Sequence, residues 1–443
     1  MPTPAAPSDR PTLSSFWHDL PREGKYLLST IIIDFIGNGL VMPFNVVYLH
    51  EVRGFELARV GLLLSLRALV ALLVVGPVGA LIDRIGPRLV VVASLLIQIA
   101  AHITLATATT EPHAALGCVL LGFSGGIIWP AVQTLIGTII PSHLRQRYFG
   151  VNFTLLNLGI GIGGILGGLF VDVTRPETFV AIYLIDAATF LAPLAIFLGP
   201  LRHVPVPTKP SADAAQDGRA PTTGYRAVLR DRSLLLVLLI VFVASFVGYG
   251  QLNTGLPAYG REVGGISTQA LGLAFAANTA VIEVLQLFVL QRIEGRRRTR
   301  MLVLMSGIWA VSFLLLGATG LVPGTIVAAV LFGLCAAVFG FGETFYQPTL
   351  PAMVNDLAPD HLRGRYNAVM SIAWQSASVV GPAVAGVLIG HGWSTSYIVM
   401  LVAGCVVVAW LALVAERRVP TRVNGVRDAE SAVPDAPVVP GQA

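Results

Sequence analysis

Twelve long apolar runs, each separated from the next by a short polar stretch, constrain this 443-residue chain more than any other feature. Each is long enough to cross a membrane, since a helix needs about 20 residues to span roughly 30 Å of hydrocarbon. They fall at 26–49, 59–80, 89–109, 114–139, 150–171 and 179–200, then at 233–258, 269–290, 301–320, 324–350, 367–390 and 396–415. Lipid offers exposed backbone no hydrogen-bond partner, so only helices or closed barrels cross it, and these continuous runs lack the alternation of barrel strands. Charged residues make up 12% of the chain and hydrophobic ones 55%, about half the charge typical of a soluble domain. The expected fold is an all-α membrane protein with twelve transmembrane helices.

Basic residues set the orientation. With both termini inside, all of the 29 Lys and Arg lie in cytoplasmic segments except Arg53, Arg59, Arg175, Arg261 and Arg67, the last within a span. Lys and Arg accumulate on cytoplasmic loops, so both termini are expected in the cytoplasm. The opening PTPAAPSDRPT is polar and has no apolar core before Tyr26, which reads as a tail and not a signal peptide. The implied organisation is a tail over 1–25, a six-helix half over 26–200, a Pro- and Ala-rich linker over 201–232, a second half over 233–415 and a tail over 416–443.

The two halves carry one repeat. Pro130, then Pro141-Ser-His-Leu-Arg-Gln-Arg-Tyr148, then Gly163 and Gly168 recur 218 residues later as Pro348, Pro359-Asp-His-Leu-Arg-Gly-Arg-Tyr366, Gly381 and Gly386. One offset aligns them all, as internal duplication requires. Six spans return the chain to the same side, so the halves are related by an axis along the membrane normal.

These residues resemble the major facilitator superfamily over about 26–415, and within it the bacterial proton-coupled multidrug exporters. The segment Gly79-Ala-Leu-Ile-Asp83-Arg84-Ile-Gly86-Pro-Arg88 is similar to the family's G-x-L-x-D-R-x-G-x-[RK] loop motif between helices 2 and 3. There Asp83 and Arg84 bridge neighbouring helix ends, Gly79 permits close approach and Gly86 makes the turn. The second copy, Gln291 to Arg298, keeps the charge and loses the pattern. Helix 1 carries Gly39-Leu-Val-Met-Pro43, and helix 10 carries Gly342-Glu343-Thr-Phe-Tyr-Gln-Pro348, similar to a G-E-x-x-x-x-P stretch whose Glu takes part in proton coupling. Helix 5 reads Gly159, Gly161, Gly163, Gly164, Gly167 and Gly168, resembling the antiporter motif G-P-x-x-G-G with Gly164 in place of proline; its repeat partner reads Gly381-Pro382. These are expected helix-packing residues.

Other chemistries are excluded or disfavoured by what surrounds them. Gly159, Gly161 and Gly164 match G-x-G-x-x-G, but a dinucleotide site needs a preceding strand and an exposed helix start, whereas these lie mid-span. Neither lysine, Lys25 before Tyr26 nor Lys209 before Pro210, belongs to a G-K-[ST] phosphate loop. The eight His form no H-E-x-x-H pair, and Cys118, Cys335 and Cys405 are isolated in apolar runs. No catalytic set, metal or cofactor is expected, and basic patches interleaved with aromatics, the mark of a nucleic-acid binder, are absent from the sequence.

Ionisable residues within spans are the main functional clue, because each costs at least about 2.5–3.5 kcal/mol to insert. Asp34 in helix 1, Arg67 in helix 2, Glu283 in helix 8 and Glu343 in helix 10 lie on helices that line the cavity in the resembled fold. At 1.5 Å per residue, Asp34 lies about 12 Å and Glu343 about 10 Å from the cytoplasmic ends of their helices. Glu343, Asp34 and Glu283 are the candidate proton carriers, against a competing reading as neutral carboxyls or charge pairs fixing helix packing. Asp186 in helix 6 reads as a packing residue. Asn38, Arg67, Trp129, Gln251, Asn253, Tyr346 and Trp374 are candidate substrate contacts. The expected protein is not an enzyme but a secondary transporter, monomeric in function, exchanging protons for amphipathic organic compounds such as drugs. A proton symporter or uniporter for one metabolite is the alternative, and a transport-dead sensor a further rival.

Overall fold

A computed structural model describes residues 13–203, 228, 230–293, 295–359 and 363–425. Twelve of its helices are long and apolar enough to cross a membrane. They are α1 (Arg22–Val52), α2 (Leu57–Ile85), α3 (Pro87–Thr107), α4 (Glu111–Ile139), α5 (Ser142–Phe170) and α6 (Pro176–Leu198), followed by α7 (Arg232–Leu252), α8 (Thr268–Ile293), α9 (Arg298–Thr319), α10 (Ile326–Leu357), α11 (Arg363–Gly390) and α12 (Ser394–Arg418). All-helical architecture and helix count match the expectation. Most of the expected linker lies outside the described residues.

The chain divides into two compact units, Met1–Asp217 and Gly218–Ala443. In the first, α1 packs on α5 and α6, α2 on α4, and α3 on α4 and α6. In the second, α7 packs on α11 and α12, α8 on α10, and α9 on α10 and α12. Adding six to each helix number of the first scheme yields the second, which is how a sequence duplication appears in packing.

Local sequence explains the interruptions. Pro43 lacks a backbone N–H and cannot continue an α-helical ladder, and α1 tightens to a 3₁₀ turn at Met42–Phe44 before a π turn at Tyr48–Val52. Gly86 separates α2 from α3 at φ +85°, a backbone region that side chains avoid. Its N–H closes α2 on the Ile82 carbonyl at 2.8 Å, and Pro87 opens α3 at the position where its missing donor is harmless. Large apolar residues such as Leu73 and Val284 remain 67% and 75% exposed. A face of that kind is tolerable only against lipid.

Parts of both expected tails carry local structure. A short helix, Leu13–Asp19, precedes α1; Phe16 within it and Leu20 just past its end, whose N–H donates to the Phe16 carbonyl at 3.1 Å, are buried. At the other end α12 runs to Arg418, and residues 421–425 turn back onto the start of α9, where Asn424 Oδ1 accepts from Thr299 N at 2.9 Å and from Thr299 Oγ1 at 3.1 Å.

Candidate functional site

In the second half, α8 and α10 pack along their length and bring Asn278 opposite Glu343. Glu343 is 6% exposed, and its Oε2 accepts a 2.9 Å hydrogen bond from Asn278 Nδ2, which also donates to the Ala336 carbonyl at 3.2 Å. Tyr249 on α7 belongs to the same cluster, and its ring packs on that of Tyr346, three residues beyond Glu343. The Tyr249 hydroxyl accepts from Gln347 Nε2 at 2.7 Å. A carboxylate and a carboxylic acid can both accept from the Asn278 amide, so the seat suits both protonation states.

Aromatic rings wall this carboxyl. Tyr249 lies 5.3 Å from Tyr346, 6.4 Å from Trp309 and 6.3 Å from Trp374, centroid to centroid. Trp309 stacks on Phe339 at 4.8 Å and donates its Nε1–H to the Phe339 carbonyl at 3.0 Å. Tyr346 shares a 2.7 Å hydrogen bond with Ser245. The rings are thus fixed by hydrogen bonds at their polar ends, while their faces stay apolar. Trp374 and Gln347 keep exposed edges, so the cluster runs from a buried acid to an open rim.

Of the residues expected from sequence, the fold gathers Glu343, Tyr346 and Trp374 here through Tyr249. Glu283 sits five residues beyond Asn278 on α8 and is partly buried. Gln251 lies elsewhere: it is fully buried, its Nε2 donates to the Phe246 and Gly381 carbonyls at 3.0 and 3.4 Å, and its Oε1 accepts from Tyr397 at 3.1 Å. Those bonds tie α7 to α11 and α12. Asn253 is exposed.

In the first half, Asp34 and Asn38 are one turn apart on α1 and partly buried. Asp34 lies one turn before Gly37, the position that Asp186 Oδ1 faces. Asp186 is fully buried, and its Oδ2 lies 2.9 Å from His102 Nε2. Arg67 on α2 is partly buried and forms no ion pair among the described residues, so the fold does not join it to Asp34. Trp129 on α4 is half exposed.

The loop motif is partly resolved. Gly86 makes the turn as expected, and Arg88 Nε donates to the Phe197 carbonyl at 2.8 Å. That carbonyl is among the last of α6, where helices leave acceptors unpaired and favour positive charge. Arg84 is exposed, and the surroundings of Gly79 and the Asp83 side chain are not among what is described. In the degenerate second copy, Arg298 pairs with Asp356 at the end of α10, while Arg297 and Arg300 pair with Glu416 near the end of α12. Charge retained without the pattern therefore still joins helix ends.

The glycines pack helices. A Cβ on Gly163 would sit 2.8 Å from Gly39 Cα of α1, and one on Gly381 would sit 2.7 Å from Gly250 Cα of α7. Gly159 and Gly167 face Phe35 and Phe44 at similar closeness, and Gly164, Gly168, Pro382 and Gly386 are buried. Each half is thus closed by a glycine contact between its first and fifth helices.

Sequence reasoning missed Asn278, Tyr249 and His102. A signal existed for His102, an imidazole inside an apolar run. Asn278 and Tyr249 are unremarkable in sequence, and only the packing of α7 and α8 against α10 gives them a role.

Two six-helix bundles on one pairing scheme, each burying ionisable side chains between apolar spans, define a polytopic membrane transporter rather than an enzyme. The chain belongs to the Major Facilitator Superfamily, whose family model matches residues 27–339 and 334–440. It is 25% identical over 395 residues to a Na(+), Li(+), K(+)/H(+) antiporter of Planococcus maritimus, covering 82% of this chain and 88% of that one. It is 30% identical over 153 residues to the quinolone resistance protein NorA of Staphylococcus aureus, covering 34% of this chain and 39% of that one. Among solved structures, a D-xylose-proton symporter superposes with a TM-score of 0.71 over 91% of this chain and 98% of its own at 14% identity, a likeness of fold.

Proposed function

We propose that this transporter exports amphipathic organic compounds in exchange for protons, by alternating access, with Glu343 as the principal proton carrier. The observation that carries the reading is the seat of Glu343: a buried carboxyl held by Asn278 at 2.9 Å beneath a wall of aromatic rings. A carboxyl there changes charge at little structural cost, because the donor remains when the proton arrives. The aromatic faces suit flat, partly apolar compounds, and an acid beneath them favours a cationic centre. The antiporter and quinolone-resistance relatives fit exchange and export. Asp34 and Glu283 are secondary proton candidates, and Asn38, Arg67, Trp129 and Asn253 remain proposed substrate contacts, whereas the Gln251 amide is taken up by its hydrogen bonds within the bundle.

The reading places the protein in the bacterial inner membrane as a functional monomer, with both termini in the cytoplasm. One sequence observation favours the rival, a proton symporter or uniporter for a single metabolite: Gly164 stands where the antiporter motif has proline. Proteoliposomes with an imposed pH gradient separate the two. Exchange predicts proton flux opposed to substrate flux for several amphipathic compounds in a panel; co-directional flux with one compound would select the symporter.

A further inference from the structure

The first half buries a histidine and an aspartate that the Glu343 reading does not use. His102 on α3 is 4% exposed and Asp186 on α6 is 0% exposed. His102 Nδ1 lies 2.8 Å from the Gln98 carbonyl on its own helix. A carbonyl only accepts, so Nδ1 carries a hydrogen whichever form the ring takes. The other nitrogen, Nε2, lies 2.9 Å from Asp186 Oδ2. That oxygen has no aligned hydrogen bond among the described residues, so the approach is an ion-pair contact without ideal hydrogen-bond direction.

Two bare acceptors do not rest at that distance in a dry interior, because their lone pairs repel and neither is solvated. A proton therefore lies between them. On Nε2 it makes an imidazolium facing a carboxylate; on Oδ2 it makes a neutral imidazole facing a carboxylic acid. Both arrangements are net neutral, the form that a membrane interior tolerates. Loss of that proton leaves a lone negative charge, which requires either water or a second proton close by.

The surroundings offer one route. His102 lies between the rings of Tyr183 at 6.2 Å and Phe190 at 5.3 Å, which exclude water from its faces. Asp186 Oδ1 points at α1, where it lies 2.5 Å from where a Cβ on Gly37 would be. One helical turn before Gly37 is Asp34, partly exposed. The remaining titratable or charged groups that face this region are Tyr48 and Arg53 from α1 and the turn that follows it, Arg67 from α2, Cys118 from α4 and Tyr183 from α6. Arg53 is committed to the Tyr48 hydroxyl at 2.8 Å and the Ala106 carbonyl at 2.6 Å, and the Tyr183 hydroxyl to Asn45 at 2.6 Å. None of these supplies a cation to Asp186 in place of His102.

We propose that His102 and Asp186 form a second proton-binding site, contained in the first half, which exchanges its proton with water through Asp34. In one step the Nε2–H bond breaks as an O–H bond forms on Asp186; in the next that proton passes to Asp34 and then to water, and uptake reverses the order. The proposal rests on the reading of the protein as proton-coupled, but its test does not depend on transport. The full-length protein, with ¹⁵N-labelled histidine, is reconstituted in lipid and its imidazole nitrogens are followed by NMR across the pH range in which imidazoles titrate, with His102→Gln assigning the signal.

The expected result is a His102 signal that changes protonation with pH and whose midpoint moves by about one pH unit or more in Asp186→Asn, the effect of removing a facing charge. Asp34→Asn, on a less buried residue with no side-chain hydrogen bond among the described residues, moves the midpoint less and in the same direction, and serves where Asp186→Asn does not fold. A His102 that keeps one protonation state throughout in the native protein overturns the proposal. So does a midpoint left in place by both carboxyl variants. Loss of coupling in a Glu343 variant would bear on the other site and leave this outcome unchanged.

Discussion

Replacing Gly163 by alanine sets a packing cost against a propensity gain, and the geometry decides which wins. The new Cβ would lie 2.8 Å from Gly39 Cα and nearer still to the Ile36 carbonyl oxygen. Both are backbone atoms, so no side chain can rotate away. Carbon atoms rest about 3.5–4.0 Å apart, so α1 and α5 must separate by about 1 Å along their closest line. Such overpacking costs about 1–3 kcal/mol, while alanine in place of glycine gains about 1 kcal/mol of helix propensity. The net is a loss of up to about 2 kcal/mol. Gly307 on α9 is the control, because a Cβ there meets nothing within 4 Å, and Gly307→Ala gains up to about 1 kcal/mol. Thermal unfolding of the purified protein by tryptophan fluorescence should therefore move in opposite directions for the two variants, with Gly381→Ala following Gly163→Ala. Equal shifts of the same sign for Gly163→Ala and Gly307→Ala would refute the helix-contact reasoning.

Three further expectations follow from single contacts. Arg88→Ala removes the guanidinium from the end of α6 and should lower stability by about 0.3–1 kcal/mol, read in the same unfolding assay; Arg88→Lys recovers part of it. Asn424→Ala strips the cap from α9 and should cost about 0.5–2 kcal/mol, whereas Asn424→Asp, which keeps an acceptor, should cost less. A cysteine placed at Ser211, in the expected cytoplasmic linker outside the described residues, should resist an impermeant thiol reagent in intact cells. The three native cysteines are buried and leave the background quiet, so ready labelling would reverse the orientation.

The helix count, the duplication and the packing glycines were legible because each is written locally or at a fixed offset. A run of about 20 apolar residues has one stable solution in lipid, and Gly163 and Gly381 recur 218 residues apart because they close the same contact twice. Pairings between distant helices were not legible. Asp186 reads as packing in sequence because its partner, His102, lies three helices earlier, and Glu343 gives no hint of Asn278 until α8 lies against α10. Gln251 shows the reverse: a polar residue in a span suggests a cavity, yet its amide is consumed by two carbonyls and Tyr397. Phe16 and Leu20, within the expected first tail, make one apolar turn too short to register as a span but sufficient to dock.

Glu343→Gln is the measurement that bears most directly on proton-coupled export. Gln keeps the size and the ability to accept from Asn278 Nδ2 and loses only the titrating proton. In proteoliposomes carrying the variant, uphill transport driven by an imposed pH gradient should disappear while substrate binding and downhill exchange survive. A variant that still concentrates substrate against its gradient at the native rate would contradict the account and remove Glu343 as the proton carrier.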